Sequence, residues 1–276
     1  MKCCKILWKG CDIMNYNEFL DEVKALRSPA TYDNYRYALA KFKNPTKANI
    51  LKYISESKDS STTKKNRLRI LGIALRWYNK MDKGIERIIK GYRENVPIEP
   101  CPTDEQIEAA WNNLGSHRDK AMFALMAYAG LRIGEVQKLD RSDVDMEHEQ
   151  LIVRNTKGKR DAIIPLVNQR LRGELYAWMT ESDNRWKALF VTENGRMSLK
   201  YLKNKFHDIF HDIGFPYHAH SLRRYYANCL ANAGVPLQDM AICMRHAKVE
   251  TTMRYLNLNQ QNVKAALQRT WAEHTA

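Results

Sequence analysis

What the chain lacks narrows its class before any motif is read. It has no run of 18 or more apolar residues, so no segment reads as a membrane-spanning helix. Its amino terminus does not have the pattern of a signal peptide, and a cytoplasmic protein acting away from membranes is expected. Cysteine is scattered. Cys3, Cys4, Cys11, Cys101, Cys229 and Cys243 form no Cys-x-x-Cys pair with histidines at zinc spacing, so reduced thiols and no metal are expected. Acidic residues run short: 31 Asp and Glu face 45 Lys and Arg, a formal net charge of +14. That excess implies a polyanionic partner, nucleic acid first and an anionic membrane surface second.

A chain of 276 residues is long enough for two domains with real cores. Residues 1–14 carry no class signal. Residues 15–92 read as a helical domain, with four helices between Tyr16 and Met81. Asn15 to Ala25 has Phe19, Leu20 and Val23 on one side. Ser28 and Pro29 then form a helix start, followed by a stripe of Tyr32, Tyr35, Leu39 and Phe42. Thr46 to Ser55 carries Ile50, Leu51 and Ile54, and Thr62 to Tyr78 presents Leu68, Leu71, Leu75 and Tyr78 inward. Around that last helix lie Lys64, Lys65, Arg67, Arg69, Arg76 and Lys80. Residues 1–102 hold 21 Lys and Arg against 11 Asp and Glu. A charged helix face is usually only solvated, but this excess in one small domain favours contact with DNA phosphates.

A proline-rich linker covers residues 93–102, and Thr103 to Gln106 has the capping-box pattern that opens a second domain, 103–276. Asp119 to Ala129 is apolar on most sides and should be its central helix. Gly130 ends that helix, and Arg132 emerges beside it, where a cation needs a partner; Glu135, one turn on, can supply it. Val144-Asp145, Leu151 to Asn155 and Asp161 to Leu166 read as short strands, the last two joined by a basic tip, Thr156 to Arg160. Two more helices, Leu171 to Met179 and Ser198 to Ile213, are assigned to packing. The fold class is therefore mainly α with a small antiparallel β-sheet.

The richest stretch runs from His218 to Tyr255. His220 and Arg223 stand three apart at the start of a helix whose apolar stripe is Leu222, Tyr225, Tyr226, Cys229, Leu230 and Ala233. Gly234 and Pro236 mark a stop and a new start. His246 and Tyr255 follow, the tyrosine within the polar run VETTMRY. A guanidinium forks onto phosphate oxygens, a histidine moves protons near neutrality, and a tyrosine needs cations and a base to become a nucleophile. Each residue alone is more often structural than functional. As an ordered set they point to tyrosine attack on a phosphodiester.

The motifs HSLRR and MRH, with Tyr255 nine residues after His246, resemble the tyrosine recombinase (phage integrase) family, whose usual pattern is H-x-L-R-H, then L-G-H, then the nucleophile. Arg224 stands where the second histidine is common, and Met244-Arg245 replaces Leu-Gly; these departures bear on local packing. The resemblance runs from Tyr16 to Trp271 and includes the Thr31, Tyr35, Leu39, Phe42 pattern of the family's core-binding domain. It implies a helical core-binding domain, here without an added arm-binding domain, followed by a mixed α/β catalytic domain. It implies cleavage and rejoining of DNA through a 3′-phosphotyrosyl bond, with neither metal nor nucleotide cofactor. The resemblance casts Tyr255 as nucleophile and Arg132 and Arg223 as phosphate donors. Lys157 becomes general acid, with Lys159 as a substitute; His220 helps to deprotonate the tyrosine, and His246 bonds the phosphate. It further implies double-stranded DNA with an inverted-repeat core site, a dimer on that site and a synaptic tetramer. The stripe of Val263, Ala266, Leu267 and Trp271 is expected to pack in cis or to dock on a neighbouring protomer. A type IB topoisomerase and an inactive DNA-binding regulator are the competing readings.

Overall fold

The structure is a computed structural model that describes residues 13–95, 101–154, 161–246 and 249–253. The chain divides into two compact units, residues 1–98 and 99–276.

The first unit holds five helices among the described residues: α1 (Asn17–Leu26), α2 (Pro29–Leu39), α3 (Lys47–Glu56), α4 (Ser61–Trp77) and α5 (Lys83–Gly91). Short polar residues start them. Ser28, Thr46 and Ser60 each accept a hydrogen bond from the backbone amide three residues on, satisfying a donor that the helix itself leaves open. Their apolar faces meet around Phe19, Leu39, Phe42, Ile50, Leu68, Leu71 and Leu75, all buried. Tyr32, Tyr35, Ile54 and Tyr78 pack at the margin of this core.

Three details depart from the sequence expectation. Leu51 is 52% exposed, because α3 turns Ile50 inward and leaves its neighbour on the solvent side. Met14 is buried, its amide bonded to the Lys43 carbonyl at 2.7 Å, so ordered packing begins within the stretch that gave no class signal. And α5 is a helix that the sequence reading lacked. Asp82 caps it, its Oδ1 accepting from the Gly84 and Ile85 amides at 2.8 and 3.1 Å. Ile85, Ile88 and Ile89 turn towards the core, but glycines at both ends weaken the local signal.

The second unit is built on α7 (His117–Ala127), packed against α9 (Gln169–Glu181) and α11 (Ala219–Asn232). Residues 121–127 of α7 are all buried, as a helix without a polar face requires. The anticipated capping box opens α6 (Asp104–Asn112): Thr103 Oγ1 accepts from the Gln106 amide and Gln106 Oε1 from the Thr103 amide. A short helix, α8 (Ile133–Lys138), follows α7. Then comes an antiparallel sheet of β1 (Val144–Asp145), β2 (Gln150–Val153) and β3 (Ala162–Pro165) in the order β1-β2-β3, with Leu151 paired to Val144 and Ile164. Leu151 and Val153 are buried while Ile163 lies open, the alternation of a sheet with one face on a core. At the base of this hairpin Arg154 Nε donates to buried Asp143 at 2.6 Å. A two-stranded turn not anticipated, β4 (Val191–Thr192) with β5 (Gly195–Arg196), precedes α10 (Leu199–His211). Two short helices, α12 (Leu237–Cys243) and α13 (Val249–Met253), complete the described residues. Among those residues no helix is long and apolar enough to cross a membrane.

Candidate active site

The site begins where α7 ends. Gly130 turns the chain with φ 61°, and a β-carbon there would stand 2.3 Å from the Tyr226 ring, so both conformation and space demand glycine. The turn delivers Arg132 to the N-cap of α8 and Glu135 to its third position. The Arg132 amide donates to Glu135 Oε2 at 2.8 Å and its Nη1 to Oε1 at 2.7 Å. The expected brace is therefore present.

Glu135 is also shared. Arg245 Nη2 donates to Oε2 at 3.1 Å, and Arg223 Nη1 stands 3.8 Å from the same oxygen. Burial would push the Glu135 carboxyl upward; the charge of Arg245 and the amide and charge of Arg132 hold it below the ordinary carboxylate value. Among the described residues, three guanidiniums surround one carboxylate, a net positive charge in a poorly solvated place. An anion would relieve that excess.

Arg223 is wholly buried. Nη1 donates to the Gly130 carbonyl and Nη2 to the Met244 carbonyl, while Nη2 also lies 3.1 Å from His246 Nε2. Arginine can only donate, so Nε2 accepts and the proton of a neutral imidazole must sit on Nδ1. There it meets Thr252 Oγ1 at 2.8 Å. Burial and the charge of Arg223 push the His246 pKa down to about 4, so the ring is neutral at pH 7. In this tautomer Nε2 accepts from Arg223 and Nδ1 donates to Thr252, so the ring is held from both sides.

This gives a test. Histidine NMR is expected to show His246 neutral well below pH 6.5 and in the Nδ1–H tautomer. Thr252→Val should raise the share of the other tautomer and slow any chemistry that depends on Arg223. Because the unfolded chain takes up this proton near pH 6.5 and the fold only near about 4, the histidine's share of stability rises with pH across that window and is constant above it. A ring that titrates at the ordinary value would refute the assignment.

The remaining expected residues divide. His220 lies in the first turn of α11 and is exposed, whereas Arg223 three residues on is buried, so the two do not share one environment. The buried face of α11 is Ser221, Leu222, Arg223, Arg224 and Ala227. Tyr225, Tyr226, Cys229 and Leu230 are only half-buried and Ala233 is exposed, which corrects the expected stripe. Lys157, Lys159, Tyr255 and the stripe from Val263 to Trp271 lie outside the described residues. Thr252, Arg245 and the sharing of Glu135 escaped the sequence reading; the one signal in reach was Arg245, which interrupts a familiar pattern. Among the described residues no group of three or more His, Cys, Asp or Glu side chains is arranged to hold a metal ion.

In the first unit the basic residues of α4 and the turn after it fall into two sets. Lys64 Nζ donates to the Ile54 carbonyl at 2.8 Å, and Arg67 pairs with Asp59, which also accepts from Tyr53 and Ser57; these two cations are committed internally. Lys65, Arg69 and Arg76 are exposed, with surface partners Glu94, Asn66 and Glu86.

The profile of the phage integrase family matches residues 103–262. Tyrosine recombinase XerA of Pyrococcus horikoshii is 24% identical over 253 residues, covering 88% of each chain. XerA of Thermococcus onnurineus is 29% identical over 159 residues, 55% of each chain. The solved structure of the Tn1549 transposon integrase in complex with transposon right-end DNA superposes with a TM-score of 0.74 at 16% identity, covering 92% of this chain and 97% of that one.

Proposed function

The chain belongs to the phage integrase family, and on that premise we propose that it is a site-specific tyrosine recombinase that cleaves and rejoins DNA through a 3′-phosphotyrosyl intermediate. The observation that carries this reading is the cluster of Arg132, Arg223 and Arg245 on Glu135, with Arg223 wholly buried. It is an electrostatic trap for one anion, placed within the region that the family profile spans.

In this mechanism Tyr255 Oη attacks the scissile phosphorus and the bond to the 5′-oxygen breaks. The tyrosine proton leaves towards His220, and Lys157 protonates the departing 5′-oxygen. Arg132 and Arg223 meet the charge that builds on the non-bridging oxygens, a preorganised electrostatic role. A 5′-hydroxyl of a second strand then attacks the phosphotyrosine and returns the tyrosine. The phosphodiester energy is kept in the covalent bond, so the chemistry calls for neither metal nor nucleotide. The partner is double-stranded DNA with an inverted-repeat core site in the cytoplasm, bound as a dimer and paired as a tetramer. The outcome is integration, excision or dimer resolution.

A nicked duplex bearing the inverted repeats that flank the gene tests this. The protein should become covalently attached to the 3′ side of the break, in EDTA as well as without it. A bound but unbroken duplex would favour a regulator. Relaxation of supercoils without exchange between sites would favour a topoisomerase.

The exposed cations of the first unit are its proposed phosphate contacts. Arg69→Ala should weaken DNA binding across sequences and lower the slope of log affinity against log salt by about 0.9 if it meets one phosphate. Arg67→Ala should leave that slope unchanged. Its expected effect is on stability, about 1–3 kcal/mol, because Asp59 loses a partly buried partner. Binding isotherms at several salt concentrations and thermal melts of both variants separate the two sets.

A further inference from the structure

Arg245 has no task in the chemistry above, yet it is held at some cost. Its backbone lies in the left-handed region at φ 54°, where a β-carbon is unfavourable and glycine is the usual occupant. Its side chain is 6% exposed, so a full guanidinium has been taken out of water. Its buried Nε has no hydrogen-bond partner among the described residues. A residue penalised in both backbone and side chain persists where its contacts over-determine it. Those contacts are directed: Nη2 donates to the Gly130 carbonyl at 2.8 Å and to Glu135 Oε2 at 3.1 Å, and Nη1 donates to the Cys243 carbonyl at 3.0 Å.

Both acceptors of Nη2 are also neighbours of Arg223. Arg223 Nη1 donates to the same Gly130 carbonyl and stands 3.8 Å from the same Glu135 oxygen. Without Arg245, Arg223 would be the next cation within reach of Oε2, and a small movement would tighten the 3.8 Å ion pair into a hydrogen-bonded one. The attraction between unit charges is strong where water is excluded, so a guanidinium paired in that way has less to offer a phosphate. With Arg245 in place, the carboxylate is divided between Arg132 and Arg245. We propose that Arg245 is a positioning residue for strand cleavage, occupying Glu135 so that Arg223 keeps its charge for the scissile phosphate. The inference rests on the recombinase reading, which names that phosphate as the guest.

The test uses the full chain with Arg245→Gly, Arg245→Gln and Arg245→Lys. Single-turnover cleavage is measured at saturating nicked DNA, affinity on the same duplex, and His246 titration by NMR without DNA. His246 is flanked by Arg223, Arg132, Arg245 and Glu135, so its proton affinity reports the charge of the cluster. The Gly and Gln variants are expected to cleave about tenfold more slowly or worse at unchanged affinity. Lys should recover part of the rate, supplying charge without the fork. His246 should titrate higher than about 4 in the Gly and Gln variants and stay low with Lys. The Gly variant relieves the backbone penalty, so slow cleavage by a Gly variant that melts like the parent cannot be assigned to misfolding. Parental cleavage by the Gly or Gln variant overturns the proposal, as does equal loss in all three with His246 unmoved. If the parent itself forms no adduct, the recombinase reading fails and the titration alone decides. A raised His246 value in the Gln variant retains Arg245 in the cluster, and an unmoved one removes it.

Discussion

Tyr255→Phe is expected to bind the recombination site as the parent does and to form no covalent adduct at all. The substitution removes one oxygen and no positive charge, so the electrostatic part of binding is untouched. In the proposed mechanism it removes the nucleophile, and among the described residues neither tyrosine of α11 is suited to take its place. Tyr225 donates its hydroxyl to Asp104 at 2.7 Å, and burial together with that carboxylate raises its pKa far above the ordinary tyrosine value. Tyr226 is half-buried with its ring against Gly130, and burial raises its pKa as well. Both hydroxyls therefore hold their protons more tightly than a free tyrosine, the reverse of what an attacking oxygen needs. Denaturing gels on the nicked duplex read the outcome. An adduct that persists in the variant and maps by peptide mass to Tyr225 or Tyr226 would move the nucleophile.

Much of the fold was open to local reading. Ser28, Thr46 and Thr103 announce their helices because a short polar side chain satisfies an amide that the first turn leaves open. The run 121–127 of α7 announces a central helix because no face of it is polar. Local reading failed at α5, where glycines at both ends mute the propensity and Asp82 and the isoleucines carry the signal alone. At the site it failed for a different reason. Apolar periodicity assumes that charge points outward, but α11 buries Arg223 and Arg224 and leaves Tyr225 and Tyr226 half-covered. That inversion makes sense only once Glu135, supplied 88 residues earlier by α8, is in place beside Arg223. Thr252 looked like part of a polar run and is buried because His246 needs an acceptor at Nδ1. Such pairings depend on tertiary approach, and local pattern rules are expected to break where a chain has arranged charge for chemistry.

Arg223 should show the other large effect. Arg223→Ala is expected to slow cleavage by roughly a hundredfold or more, the usual cost of removing a preorganised donor to a developing oxyanion. Arg223→Lys should recover little. The guanidinium reaches the Gly130 carbonyl, the Met244 carbonyl and His246 at once, and a single ammonium cannot reproduce that planar fork. The fold should suffer less than the burial of Arg223 implies. Removing one member of a buried ion pair ordinarily costs about 3–5 kcal/mol because a bare charge remains. Here Glu135 keeps Arg132 and Arg245, so no bare charge remains and the loss should fall well short of that range. His246 supplies an independent readout. Burial is the first cause of its low pKa and the charge of Arg223 the second, so the Ala variant should titrate above about 4 but still below the free histidine value. Its acid-sensitive stability window, which lies between those two values, should narrow accordingly. Single-turnover rates, melting temperatures and the His246 titration on the same preparations separate these effects. Near-parental cleavage by a folded Ala variant would confine Arg223 to holding the turn at Gly130 and would take it out of the reaction.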